Sequence, residues 1–300
     1  MTRAPAPEGL PMPDAGSAIG TAGFAYMREI PRGPAGLIVV PLDAAVLARS
    51  GLAPRRLKDL RVIDPAGLQV PFLPEQRDEP LIVDARLERR DLPSGITGSA
   101  GRATSYLVQL PFDQLPASRL VFTTRARVFT RSVILGEVVP AEDRRPAQFV
   151  RLDAATWTHA DESTSASPLE FSLPESRHGD LYLLIDEGDN QPLPIERATV
   201  LLPSFALRLF RRADVPLRLV YGRDDLGAPR YDLQLLAPQL MGRRAEEVMP
   251  GPEQPLDASG TQGAVPAVPP AVFWSALGLA VVVLLGLVVR LMKRDAGAQA

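Results

Sequence analysis

The side chains that could do chemistry in this 300-residue chain are few and scattered. It has no cysteine, which excludes thiolate metal sites, thiol nucleophiles and a disulfide framework. Its two histidines, His159 and His178, stand nineteen residues apart. A zinc site draws its ligands from closer spacing or from a helical pair. The densest set of oxygen ligands is Asp186, Glu187, Asp189 and Asn190. Hard cations such as Ca²⁺ take such oxygens, but the cluster does not follow the twelve-residue helix–loop–helix pattern, and a solvated acidic loop explains it better. Trp157 is the only tryptophan outside the apolar C-terminal segment. In a loop it could stack on a sugar ring; as a partly buried core anchor it needs no ligand. Arg125, Arg127 and Arg131 read as a solvated sheet face. Ser204, in Pro-Ser-Phe, lacks the flanking glycines of a nucleophile elbow. Gly20-Thr-Ala-Gly23 follows no strand that could make it a phosphate loop, and the 35 acidic residues single out no pair for glycoside hydrolysis. The candidate ligand surface is therefore Trp157, Asp186, Asp189 and Asn190, with no catalytic residue, metal or cofactor assigned.

The elements that must position these residues are short strands. Leu37 to Pro41 is one apolar run, and Leu60 to Ile63 is a second. Asp64-Pro-Ala-Gly67 has the proline and glycine positions of a type I turn, so Leu60 to Leu73 reads as a β-hairpin. Leu81 to Leu87 and Ser105 to Leu110 continue the series. Further on, Phe129, Arg131, Val133 and Leu135 alternate with Thr130, Ser132 and Ile134. Leu169, Phe171 and Leu173 repeat the spacing of two, as do Leu181, Leu183 and Ile185, then Phe205, Leu207 and Leu209, then Leu217, Leu219 and Tyr221. That period sends one set of side chains to a buried sheet face. Helices are expected only at Asp43 to Arg49 and from Asp232 to Val248, where Pro238 must kink the helix or mark its first turn.

The pattern predicts a mainly β protein of two antiparallel, jelly-roll-like sandwich domains, residues 24–117 and 118–248. A disordered N-terminus is expected over 1–23, and a Pro/Gly-rich linker over 249–270, which holds six prolines and three glycines. The formal charge of −2 leaves no basic excess for nucleic-acid phosphates. Lysine occurs only at positions 58 and 293, the other cations being arginine.

Ala271 to Val289 is nineteen residues without a charge, and it runs into Arg290, Lys293 and Arg294. A helix of that length spans roughly 28 Å at 1.5 Å per residue, close to the hydrocarbon thickness of a bilayer. The expectation is a single transmembrane helix over 271–289, with the basic tail 290–300 in the cytoplasm and the large domain outside, in the periplasm of a bacterium anchored to its inner membrane. The first thirty residues hold no apolar run of the kind a signal core requires. Export then implies a start upstream of Met1; the competing arrangement is a tail-anchored cytoplasmic protein. Ala276-x-x-x-Ala280 is a small-residue pattern that would suit packing against another helix in a membrane complex.

Specific stretches resemble a bacterial family known only as domain-of-unknown-function family 3999. They are Pro41-Leu-Asp43, Leu57 to Phe72 with its DLRV segment, D-x-x-G turn and VPF, Phe129 to Ile134, Pro216 to Gly222, Tyr231-Asp-Leu233, and the closing helix with its basic tail. The resemblance covers roughly Phe24 to Arg294, and it implies an exported, C-terminally anchored protein with no assigned activity. Separately, Asp180 to Ile195 is similar to a strand–loop–strand of galactose-binding-like jelly rolls, whose edges bind sugars or lipid head groups. The functional expectation is a non-enzymatic envelope protein that binds a glycan or another envelope protein. The alternatives are a carboxylate-dependent enzyme acting on envelope polysaccharide, or a subunit of a membrane complex.

Overall fold

The computed structural model describes residues 12–50, 56–93, 102–139, 147–177 and 180–256. They belong to one compact unit that ends at Ala258; the remainder forms a second unit, Ser259–Ala300, outside the described residues. The expected transmembrane helix, Ala271 to Val289, falls there. Among the described residues no helix is long and apolar enough to cross a membrane.

The protein is mainly β. In chain order the strands are β1 (Tyr26–Ile30), β2 (Gly36–Pro41), β3 (Arg61–Ile63), β4 (Phe72–Arg89), β5 (Ala103–Gln109), β6 (Gln114–Leu115), β7 (Ser118–Thr124) and β8 (Val128–Val139). They continue as β9 (Gln148–Ala160), β10 (Leu169–Leu173), β11 (Ser176–Arg177), β12 (Asp180–Asp186), β13 (Ile195–Arg211), β14 (Leu217–Tyr221), β15 (Glu246–Glu247) and β16 (Gln254–Pro255). Helix α1 (Ala44–Arg49) follows β2, capped by the Asp43 side chain, which accepts from the Val46 N–H at 3.1 Å. A 3₁₀ turn (Asp232–Leu236) leads into α2 (Ala237–Leu240), with Pro238 in its first turn, where a missing N–H costs nothing. The helix expected to reach Val248 stops at Leu240, and the chain enters β15 instead, parallel to β2.

Two hydrophobic cores organise these elements. The first lies between the sheet β16-β1-β14-β3 and the sheet that carries β2, β13 and the start of β4; Ile38, Val40, Leu207, Leu209, Leu219 and Tyr221 fill it. The second is enclosed by one long path, β10-β7-β13-β4-β5-β12-β8-β9, whose two end strands, β9 and β10, come into contact. Phe122, Phe171, Leu181, Leu183, Val133 and Val200 line its interior. The first core thus uses both ends of the described chain, and the second is an inserted lobe made from the middle. The boundary expected at 117/118 runs through hydrogen-bonded sheet: β5 before it pairs with β12 after it, and β1 pairs with β14. Period-two alternation identifies strands but carries no information about their partners.

Strands β4 and β13 run through both lobes. They pair from Ala85↔Ala198 to Leu81↔Leu202, and again from Arg77↔Ser204 to Phe72↔Leu209. Between these stretches Asp78, Glu79 and Pro80 oppose Pro203 alone. Neither proline can donate to the ladder, so both strands break register at the same level. Helix α1 wedges into the junction, with Leu47 and Ala48 in the inserted core and Val46 in the terminal one.

Two expected disordered segments are ordered where described. Residues 12–23 lie along the β3–β4 turn: Gly16 N–H donates to Gln69 O at 2.7 Å and Ile19 N–H to Gly67 O at 2.9 Å. The linker expected from 249 begins as a strap along β1. Gly251 N–H donates to Glu29 O at 2.7 Å, Leu256 N–H to Ala25 O at 2.8 Å, and Gln254 sits opposite Met27. Its prolines favour an extended chain that suits a sheet edge.

Candidate functional site

The loop after β12 does not gather its oxygens. Gly188, at φ +53°, turns the chain so that Glu187 points inward, 2% exposed, while Asp186, Asp189 and Asn190 stay exposed. Glu187 Oε2 accepts from Arg131 Nε at 2.8 Å, and the Leu193 N–H donates to both its oxygens at 3.1 Å. Arg131 is itself buried and also donates to Thr130 O and Gln191 O. The acidic run is therefore an ion-paired loop anchor. Asp186 Oδ1 accepts from Gly188 N–H, and the Asn190 amide donates to Glu187 O, both local turn contacts. Among the described residues no three His, Cys, Asp or Glu side chains come together to hold a metal ion.

Trp157 stands on β9 and not in a loop. It is 5% exposed, its indole N–H donates to Ser167 O at 2.9 Å, and its ring meets Phe129 edge-on at 5.3 Å. No ring face is left for a sugar, which removes Trp157 from the ligand surface. His159, half-buried beside Phe129, has Nε2 3.2 Å from Thr164 O; His178 lies outside the described residues. Arg125 and Arg127 are exposed, and Ser204 is an ordinary ladder residue of β13.

The residues that do converge lie where the two lobes meet. A polar cleft of about 440 Å³ is lined by Tyr26, Arg49, Phe112, Asp113, Gly222 and Asp224, among others. Strand β1 supplies Tyr26, α1 supplies Arg49, the β5–β6 connection supplies Phe112 and Asp113, and the turn after β14 supplies Asp224. The Arg49 guanidinium lies over the Tyr26 ring at 4.1 Å and donates to that residue's hydroxyl at 2.5 Å. Its Nε is 3.1 Å from Glu253 on the strap. Glu253 accepts from the Tyr221 hydroxyl at 2.7 Å, and Tyr221 accepts from Arg28 Nε at 3.1 Å. Arg28 is also 2.6 Å from Asp43, the cap of α1, and donates to Gly251 O. Burial, and the bond it donates to Glu253, push the Tyr221 phenol well above the ordinary tyrosine range, so it stays protonated.

The opposite wall is held by Asp59, 4% exposed, whose Oδ2 accepts from the N–H groups of Gly222, at 2.5 Å, and Arg223, at 3.1 Å. Gly222 has φ +82° and brings the backbone so close to Tyr26 that an added Cβ would sit 2.9 Å from its ring. Burial raises the Asp59 carboxyl above its ordinary value, against the lowering effect of the two backbone bonds. The result is a rigid recess with two aromatic rings, one cation and two exposed carboxylates. It can accept from and donate to hydroxyl groups while covering an apolar face. None of these residues has a sequence signal; positions 26, 49, 112, 113 and 224 meet only through long-range pairing.

No family model matches the chain, and no curated protein matches it.

Proposed function

We propose that this chain is a membrane-anchored binding or scaffolding protein of the bacterial envelope, held in the inner membrane by Ala271–Val289, that presents the inter-lobe cleft to an envelope glycan. The tail Arg290–Arg294 is cytoplasmic and the β body periplasmic, as in the family 3999 proteins that the motifs resemble. The stretch Asp180 to Ile195, similar to a strand–loop–strand of galactose-binding-like jelly rolls, lies in the inserted lobe, whose β5–β6 connection forms one wall of the cleft. The observation that carries the reading is the composition of that cleft. The Tyr26 ring is held between Tyr221, stacked at 5.7 Å, and the Arg49 guanidinium, so the apolar C–H face of a sugar would meet the Phe112 ring and its hydroxyl groups Arg49, Asp113 and Asp224.

Titration of the full chain with soluble envelope oligosaccharides tests it. Saturable binding that weakens about five- to tenfold in Phe112→Ala, the loss of one aromatic contact worth about 1–1.5 kcal/mol, supports the reading; no binding, or binding indifferent to that change, refutes it. A second reading is favoured by the presence of both Asp113 and Asp224 on one concave surface. Two carboxyl groups flanking a glycosidic bond could cleave it by acid–base chemistry. Hydrolysis of the bound oligosaccharide, abolished by Asp113→Asn or Asp224→Asn, would select that reading over simple binding.

A further inference from the structure

A second recess lies in the terminal lobe and has different chemistry. Strand β3 is the edge of one sheet, and the first part of β4 is the edge of the other. Between these two edges the sandwich stays open as a mainly apolar cleft of about 400 Å³. Its walls include Leu60, Phe72, Phe205, Leu207 and Tyr231, so it reaches down to the sandwich core. The size and lining suit one small apolar ligand.

The lips of this cleft are built, not frayed. Arg61 donates to the carbonyls of Lys58 and Leu60 at 2.8 and 2.7 Å, and to Gly227 O at 2.7 Å, so one buried guanidinium ties both lips together. Leu57 holds a left-handed backbone at φ +63°, a conformation that a branched side chain adopts only when its surroundings impose it. Tyr231 packs edge-on against Phe72 at 5.4 Å and donates to Gln69, and burial pushes its phenol up to about 12.

The charges at the rim are of one sign. Among the described lining residues two are cations, Arg56 and Lys58, and none is acidic, although acidic residues outnumber basic ones in the whole chain. Arg56 is occupied by Glu175 and by the Leu47 carbonyl. The Lys58 ammonium has no partner among the described residues. We infer that this intersheet cleft binds a free single-chain amphiphile, its apolar chain between the sheets and its anionic head on Lys58. The volume admits one chain and not the two of a bilayer phospholipid.

Photolabelling of the full chain in lipid nanodiscs tests this, using a diazirine-bearing octanoate and the matching octanol, with peptide mapping of the adducts. The expected adducts fall on the segments around 56–60 and 228–234 and disappear when unlabelled octanoate competes. Lys58→Gln lowers labelling by the carboxylate about fivefold, the upper range of an exposed ion pair, and leaves labelling by the alcohol unchanged. Ala228→Trp, at an exposed lining position, blocks both probes. Unchanged melting of both variants shows that the fold is intact. Adducts elsewhere only, or adducts insensitive to Ala228→Trp, overturn the site. Equal effects of Lys58→Gln on both probes overturn the anionic head. Neither result bears on glycan binding at the inter-lobe cleft.

Discussion

Strand β13 passes through both lobes and shows two kinds of sheet in one stretch of chain. In the inserted lobe Ala198, Val200 and Leu202 are buried, while Glu196 and Arg197 are exposed and Thr199 and Leu201 only half-covered. In the terminal lobe Ala206 to Arg211 are all buried. There the inner face, with Leu207 and Leu209, packs into the sandwich, and the outer face is roofed by Leu233 and Leu240 against Phe210, Leu37 and Leu73. The buried arginines follow the same division. Arg208 reaches Glu75 and the Arg243 carbonyl, and Arg211 reaches Glu246 and the carbonyls of Pro31 and Pro34. A one-faced sheet needs alternation; a two-faced sheet needs every polar group on it to find a partner.

The largest test of that contrast is a set of truncations along β13. Leu209→Ala and Phe210→Ala, adjacent and on opposite faces, should each cost about 3–4 kcal/mol. In the inserted lobe the adjacent pair should split: Val200→Ala costs about 2 kcal/mol and Leu201→Ala under about 1 kcal/mol. Chemical denaturation reads all four, and equal costs at 200 and 201 would break the contrast.

The inserted lobe buries its charge at one loop. Arg131→Met leaves Glu187 desolvated and unpaired, and should cost about 3 kcal/mol in urea unfolding. The double variant Arg131→Met/Glu187→Leu should recover most of that loss, because no charge is then left buried. Failure of the second change to rescue would mean that the loop depends on the Glu187 bonds to Leu193 more than on the ion pair.

At the wall of the cleft, Asp59 has a raised folded-state pKa, so the folded protein holds its proton more tightly than the unfolded chain. Its contribution is fully present below the unfolded value, about 4, and is lost as pH rises through the folded one. Asp59→Asn removes that dependence. Unfolding midpoints of wild type and variant, compared across mildly acidic pH, should diverge in favour of the variant as pH rises. Parallel curves would contradict the assigned burial.

The smallest effect is expected at the strap. Glu253→Gln weakens its links to Arg49 and Tyr221, so hydrogen exchange over 250–256 should quicken, with global stability shifted by less than about 1 kcal/mol. Unchanged exchange there would mean that the backbone bonds to Glu29 and Ala25 hold the strap alone.

Much of the strand content was legible because single-faced strands write their burial as alternation. The runs at Phe129–Leu135 and Leu169–Leu173 became the inward faces of β8 and β10, whereas Leu181 to Ile185 of β12 are buried on both faces. The short helix at Asp43 to Arg49 and the Asp64–Gly67 turn were also readable, since local side-chain chemistry supports both. The lobe boundaries were not. Pairing β1 with β14 joins segments nearly two hundred residues apart, and no local period encodes that closure. The spacing of Phe205, Leu207 and Leu209 marked one buried face of β13 but not the burial of Arg208 and Arg211, whose partners, Glu75, Glu246 and three proline or loop carbonyls, arrive from elsewhere. The candidate cleft was missed for the same reason, and Trp157 was read as a surface candidate because its roof at Ser167 comes from the next connection.

Envelope binding requires the β body to face the periplasm on a membrane anchor. Protease added to intact spheroplasts expressing the protein from its native upstream DNA tests it directly. The expected result is cleavage between Leu256 and Ala271, releasing a folded fragment that still carries both lobes. Full-length protein that survives until the cells are lysed would place the body in the cytoplasm, and envelope binding would then be refuted.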